Sequence, residues 1–108
     1  MEVKSYIEGS SLIVEPSGKL DTFSAPKFGA ALALLLEEKP KSCLLNLSEV
    51  TFLSSAGLQV LLAGAKTSKA QEIKYKVFGM QEMVQDVFFL SGFDNFIDSY
   101  ETKEDALA

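Results

Sequence analysis

The chain has 108 residues, 47% of them hydrophobic and 23% charged, which suits one globular domain spanning residues 1–108 and argues against disorder, collagen and coiled coil. Ten Lys and Arg against 15 Asp and Glu leave a net charge of −5, a field that repels polyanions, so no nucleic-acid partner is expected. Histidine is absent; with it go the commonest general base and the commonest metal ligand, so no enzyme, no catalytic residue, no cofactor and no metal site is expected.

The N-terminal MEVKSYIEG has neither the basic start nor the apolar stretch of a signal peptide. Its alternation of Val3, Ser5 and Ile7 with Lys4, Tyr6 and Glu8 predicts a strand. The Gly9-Ser10-Ser11 cluster turns the chain into a hairpin whose second strand begins at Leu12; Pro16 interrupts that strand, and Gly18-Lys19-Leu20-Asp21 carries the chain out of the sheet. Ser24 is placed as a helix N-cap, with Pro26 in the first turn and Phe23 and Phe28 spaced as a hydrophobic staple. Phe28, Ala31, Leu32, Leu35 and Leu36 form the apolar stripe of that first helix, which Glu37-Glu38-Lys39-Pro40 stops. The run ALALLL within it belongs to the longest apolar stretch, which is far short of a membrane span, so no direct membrane insertion is expected.

Cys43 to Leu47 is a short apolar run expected as a buried strand. Cys43, the single cysteine, reads as a small buried hydrophobe suited to a reducing compartment, so a cytoplasmic location is expected. A second helix starts at Ser54 or Ser55 and continues to Ala70, and Ile73 to Phe78 alternates as a fourth strand. Met80, Met83, Val84, Val87 and Phe88 stripe a third helix that Gly92 ends; Asn95 to Tyr100 is the fifth strand; Thr102 with Asp105 opens a short last helix. The order β-β-α-β-α-β-α-β-α predicts a single α/β domain with a mixed, mostly parallel five-stranded sheet and about four helices.

The stretch from Asn46 to Leu58 joins a buried strand to a helix with two hydroxyls at the junction, where helix N-termini present unpaired N–H groups. With Ser54 as N-cap, Leu53 and Leu58 become a staple and Ser55 the first helical residue, its hydroxyl facing water. Leucine at position 53 and the lack of a base exclude a nucleophile elbow, and the glycines and lysine of a Walker loop are missing. On the helical wheel Leu58, Leu61, Leu62 and Ala65 make the core stripe, while Ala56, Val60, Ala63 and Thr67 make a small outward strip beginning beside Ser55.

The segment Asn46-Leu47-Ser48-Glu49-Val50-Thr51-Phe52-Leu53-Ser54-Ser55-Ala56-Gly57-Leu58 resembles the signature of STAS domains, the bacterial anti-sigma-factor antagonists. Gly18-Lys19-Leu20-Asp21 is similar to the family's Gly-x-Leu-Asp turn, and Ser91-Gly92-Phe93 through Glu104-Asp105-Ala106-Leu107 to its ending. The resemblance implies that Ser55 is a phosphorylated serine, with Asp21, Ser54 and Gly57 as its neighbours, and that Ala56, Gln59, Val60 and Ala63 meet a partner. It also implies an anti-sigma factor that is a serine kinase as that partner, with a serine phosphatase resetting the switch. At position 54 the family commonly has aspartate where this chain has serine. Related domains with Ser-Ser-Ala-Gly-Leu include scaffolds and transporter accessory modules that carry no phosphate, which is the alternative function.

Overall fold

A computed structural model describes residues 1–108. The first hairpin pairs β1 (Glu2–Glu8) antiparallel with β2 (Ser11–Leu20), from Glu2 opposite Ser17 to Glu8 opposite Ser11. Gly9 makes the turn at φ +64°, a conformation that an unbranched backbone adopts without steric cost. Helix α1 (Ala25–Leu36), β3 (Ser42–Asn46), β4 (Val50–Leu53), α2 (Ser55–Ala70), β5 (Lys74–Phe78), α3 (Glu82–Leu90), β6 (Asp98–Tyr100) and α4 (Lys103–Leu107) follow. All pairings after the hairpin are parallel: β2 with β3, β3 with β5, β5 with β6, and β2 with β4.

The sheet therefore has six strands, not the five expected. The addition is β4, which pairs with β2 alone. Its inward residues Val50 and Leu53 are separated by two exposed ones, Thr51 and Phe52, so period-two alternation is lost in the sequence. The ladder shifts register between Gly18 and Lys19, and Gly18 has φ +105°, a conformation that favours glycine.

Strand β2 also runs further than expected, continuing through Pro16 and Gly18 to Leu20. Its ladder with β3 ends at Val14 opposite Leu45, and its ladder with β4 begins at Gly18 opposite Val50. Pro16 lies between the two ladders, where its missing N–H costs no parallel pairing. The predicted fifth strand is shorter than expected: a 3-10 turn occupies Phe93–Asn95, and only Asp98–Tyr100 pairs. Gly92 precedes that turn at φ +80°, as expected of the residue ending α3.

Because β-strand side chains alternate, the sheet buries two cores. On one face Leu12, Val14, Cys43, Leu45 and Val77 meet Phe28, Leu32 and Leu36 of α1 and Leu58 and Leu61 of α2. On the other, Ile13, Leu44 and Phe78 lie with Ala106 of α4. Burial pushes the Cys43 thiol up to about 12, leaving it protonated and inert. Helix α4 opens on Thr102, whose hydroxyl accepts from Asp105 N at 3.1 Å, and Lys103 reaches back to Glu8 at 2.9 Å.

Candidate functional site

The site begins where β2 and β4 end side by side. Leu20 pairs with Leu53, and the next amide, Ser54 N, donates to the Leu20 carbonyl at 3.0 Å. Both strands release their chains on the same sheet edge, β4 directly into α2 and β2 into the loop before α1. Residues 21–24 and 54–57 are thus juxtaposed although 33 positions apart in sequence.

Ser54 has extended backbone (φ −97°, ψ 174°), and its hydroxyl accepts from Gly57 N at 3.3 Å, the N-cap expected. Leu53 and Leu58 are both buried around it. Ser55 is the first residue of α2 and is exposed. The two adjacent hydroxyls are therefore divided in their tasks: one closes the helix end, the other meets solvent at the positive end of the helix dipole.

Gly57 owes its identity to packing. A Cβ there would stand 2.8 Å from Leu20 Cγ, 2.8 Å from the Leu20 carbonyl oxygen and 2.9 Å from Leu53 Cδ1. Only glycine lets the first turn of α2 settle onto the end of β2, and the position of Ser55 follows from that approach.

Asp21 lies at the same edge, with its carboxylate engaged in its own loop. Oδ1 accepts from Phe23 N and Ser24 N, each at 3.0 Å. The Ser24 backbone N–H first, then Phe23 N–H and the Ser24 hydroxyl, hold the carboxyl below its ordinary 3.8 because they favour the ionised form. Ser24 precedes α1 as expected but does not cap it. Its backbone is helical, and its hydroxyl donates to the Lys19 carbonyl at 2.6 Å while accepting from Asp21 N at 3.0 Å. The expected Phe23–Phe28 staple does not form either: Phe28 is buried, whereas Phe23 is 93% exposed on the rim of the site. The Asx turn of Asp21 takes over the capping and turns Phe23 outward.

The β3–β4 loop is fixed by the polar residues of the signature. Asn46 Nδ2 donates to Glu15 at 2.9 Å while its Oδ1 accepts from Ser48 N at 3.0 Å, and Gln81 Nε2 donates to the Ser48 carbonyl at 2.8 Å.

The outward strip of α2 is divided. The buried residues of α2 as a whole are Gly57, Leu58, Leu61, Gly64 and Ser68, so the core face is turned away from Leu62 and Ala65, which are half-buried. Gly64 causes the turn: a Cβ there would meet Tyr75 Oη at 2.5 Å and Leu32 Cδ2 at 2.9 Å. Val60 consequently leans on α1, its methyls 3.5 and 3.7 Å from where a Gly29 Cβ would be, and it is half-buried. Ala56 is half-buried, while Gln59, Ala63 and Thr67 are exposed. The wheel missed this because glycine and serine carry no hydrophobic signal.

No cluster of three or more Cys, Asp or Glu side chains is gathered in a way that could hold a metal, and no helix is long and apolar enough to cross a membrane.

The family described as the STAS domain matches residues 2–106. An anti-sigma-B factor antagonist of Listeria monocytogenes is 24% identical over 82 residues, covering 76% of this chain and 72% of the relative. An anti-sigma-F factor antagonist of Mycobacterium tuberculosis is 26% identical over 95 residues, 88% of this chain and 77% of the relative. The crystal structure of an anti-sigma factor antagonist from Mycobacterium paratuberculosis superposes with a TM-score of 0.91 at 25% identity, covering 98% of this chain and 90% of that one.

Proposed function

The chain belongs to the STAS domain family, and from that premise we propose that it is an anti-sigma-factor antagonist switched by phosphorylation at Ser55. Unmodified, it binds an anti-sigma factor that is also a serine kinase; phosphorylated, it is released; a serine phosphatase restores it. The observation that carries this reading is the exposure of Ser55 at the first position of α2, beside a separate serine that already serves as the cap.

The physics of such a switch needs no catalytic group in this chain, because the kinase supplies nucleotide, metal and base. A phosphate adds about −1.5 to −2 charges. The N–H groups opening α2 tolerate that charge, and the fold survives. An interface formed around a neutral hydroxyl and the small residues Ala56 and Ala63 does not, because the charge would have to be desolvated there. Gln59 and the outer edge of Val60 complete that contact strip. Asp21 acts by fixing the conformation of the β2–α1 loop, which leaves the sheet beside the start of α2, and Gly57 by setting the depth of the helix.

Phosphate mapping tests the reading. The protein isolated from its own host, or incubated with ATP and each anti-sigma kinase of that host, is expected to carry phosphate on Ser55 and none in Ser55→Ala. Phosphate on Ser54, or labelling that persists in Ser55→Ala, overturns the assignment. Partner binding with no phosphate under any condition would favour the scaffold or transporter-accessory function instead.

A further inference from the structure

A cavity of about 600 Å³ opens at the end of α2 remote from Ser55. Lys66 lies eleven residues beyond Ser55, which at about 1.5 Å per residue puts the cavity roughly 17 Å along the helix. Leu62 and Ala65 wall it on one side and Ile73 and the ring of Tyr75 floor it; Asn95 and Phe96, from the 3-10 turn and the residue after it, form the far wall. The size is within the range of about 300–1,000 Å³ usual for small-molecule sites.

Two features mark this cavity as a candidate binding site. Phe96 stays 69% exposed on its rim, although an aromatic ring gains more than most side chains from burial. Lys66 and Lys69 stand three residues apart on one helix face, both at the cavity. Neither has a carboxylate partner: the two ion pairs of the molecule are Lys4–Glu2 and Lys103–Glu8. In a chain of net charge −5, this is a local cationic mouth above an apolar floor.

We propose that this cavity binds a small amphiphilic carboxylate, with its apolar body between Phe96, Tyr75 and Leu62 and its carboxylate between Lys66 and Lys69. Such a ligand covers Phe96 and gives both ammonium groups a counter-charge. An uncharged apolar molecule satisfies only the floor, and a bare anion only the rim. The concave shape, lined by α2, β5 and the 3-10 turn, suits a small molecule better than the flat face of another protein.

The test titrates the isotopically labelled chain with decanoate, decanol and acetate, following backbone amide shifts. Decanoate is expected to saturate, with shifts centred on residues 62–75 and 95–96, and to bind at least tenfold more tightly than decanol or acetate. In Lys66→Ala/Lys69→Ala, whose two exposed side chains are not needed for folding, decanoate should fall to the level of decanol. Ala65→Trp, which fills the cavity, should remove binding of both. Decanol binding as tightly as decanoate, undiminished decanoate binding in the double lysine variant, shifts scattered outside the cavity, or no saturable binding would each overturn the proposal.

Discussion

Replacing Gly57 by alanine is the sharpest test of how the site is built. The added methyl would make three contacts under 3.0 Å, two to Leu20 and one to Leu53. One of the Leu20 contacts is with its carbonyl oxygen, which cannot retreat without stretching the 3.0 Å bond from Ser54 N that anchors the start of α2. Overpacking of this kind costs about 1–3 kcal/mol, and three simultaneous contacts put it near the top of that range. Alanine returns up to about 1 kcal/mol of helix propensity. The net is about 2 kcal/mol of destabilisation, a fall in Tm of roughly 8–16 °C for a domain of this size. Gly29→Ala is the internal control: it has the same propensity gain, but its methyl would stand 3.5–3.7 Å from Val60, an ordinary contact. Thermal melts followed by circular dichroism should show Gly29→Ala at or slightly above the unaltered protein and Gly57→Ala well below it. Equal melting temperatures for the two variants would refute the argument that Gly57 is set by close packing.

Ser54→Ala removes a cap and should cost about 1 kcal/mol in chemical denaturation, whereas Ser55→Ala, at an exposed position, should change stability by less than about 0.5 kcal/mol; the reverse order would exchange the roles assigned to the two serines. Asp21 has its carboxyl held below 3.8 in the folded chain, so its contribution is present above the unfolded value and is lost as pH falls through the folded one. Asp21→Ala should therefore melt below the unaltered protein at pH 7, with the gap closing under acid conditions; a gap that is constant with pH would remove the carboxylate from the account.

The signature around Ser54 and Ser55 was legible because capping and staple geometry depend on local spacing, and Ser54, Leu53 and Leu58 occupy the places that spacing assigns. Residues whose role depends on contacts distant in sequence were not. The strand Val50–Leu53 is paired by β2 alone and carries Thr51 and Phe52 outward together, so nothing local marks it as sheet. Pro16 is harmless because two ladders change over around it, a fact of topology. Phe23 followed staple spacing, yet the Asp21 carboxylate three-dimensionally competes for the same helix start and turns the ring to solvent. The Asp-Thr-Phe-Ser sequence was the available signal, since Asp commonly bonds backbone amides two and three residues on. On α2, Gly64 and Ser68 are core residues without apolar side chains, and reading glycine as a site of close approach would have rotated the predicted face correctly.

The central claim is that the charge state of Ser55 decides partner binding while the fold stays intact. Isothermal titration of the host's anti-sigma factor into the unmodified chain, the stoichiometrically Ser55-phosphorylated chain and Ser55→Ala measures it directly, with circular dichroism of all three alongside. The account predicts matching spectra, equal affinity for the unmodified chain and Ser55→Ala, and at least tenfold weaker binding, about 1.4 kcal/mol or more, for the phosphorylated chain. Equal affinity of the phosphorylated and unmodified chains would contradict it.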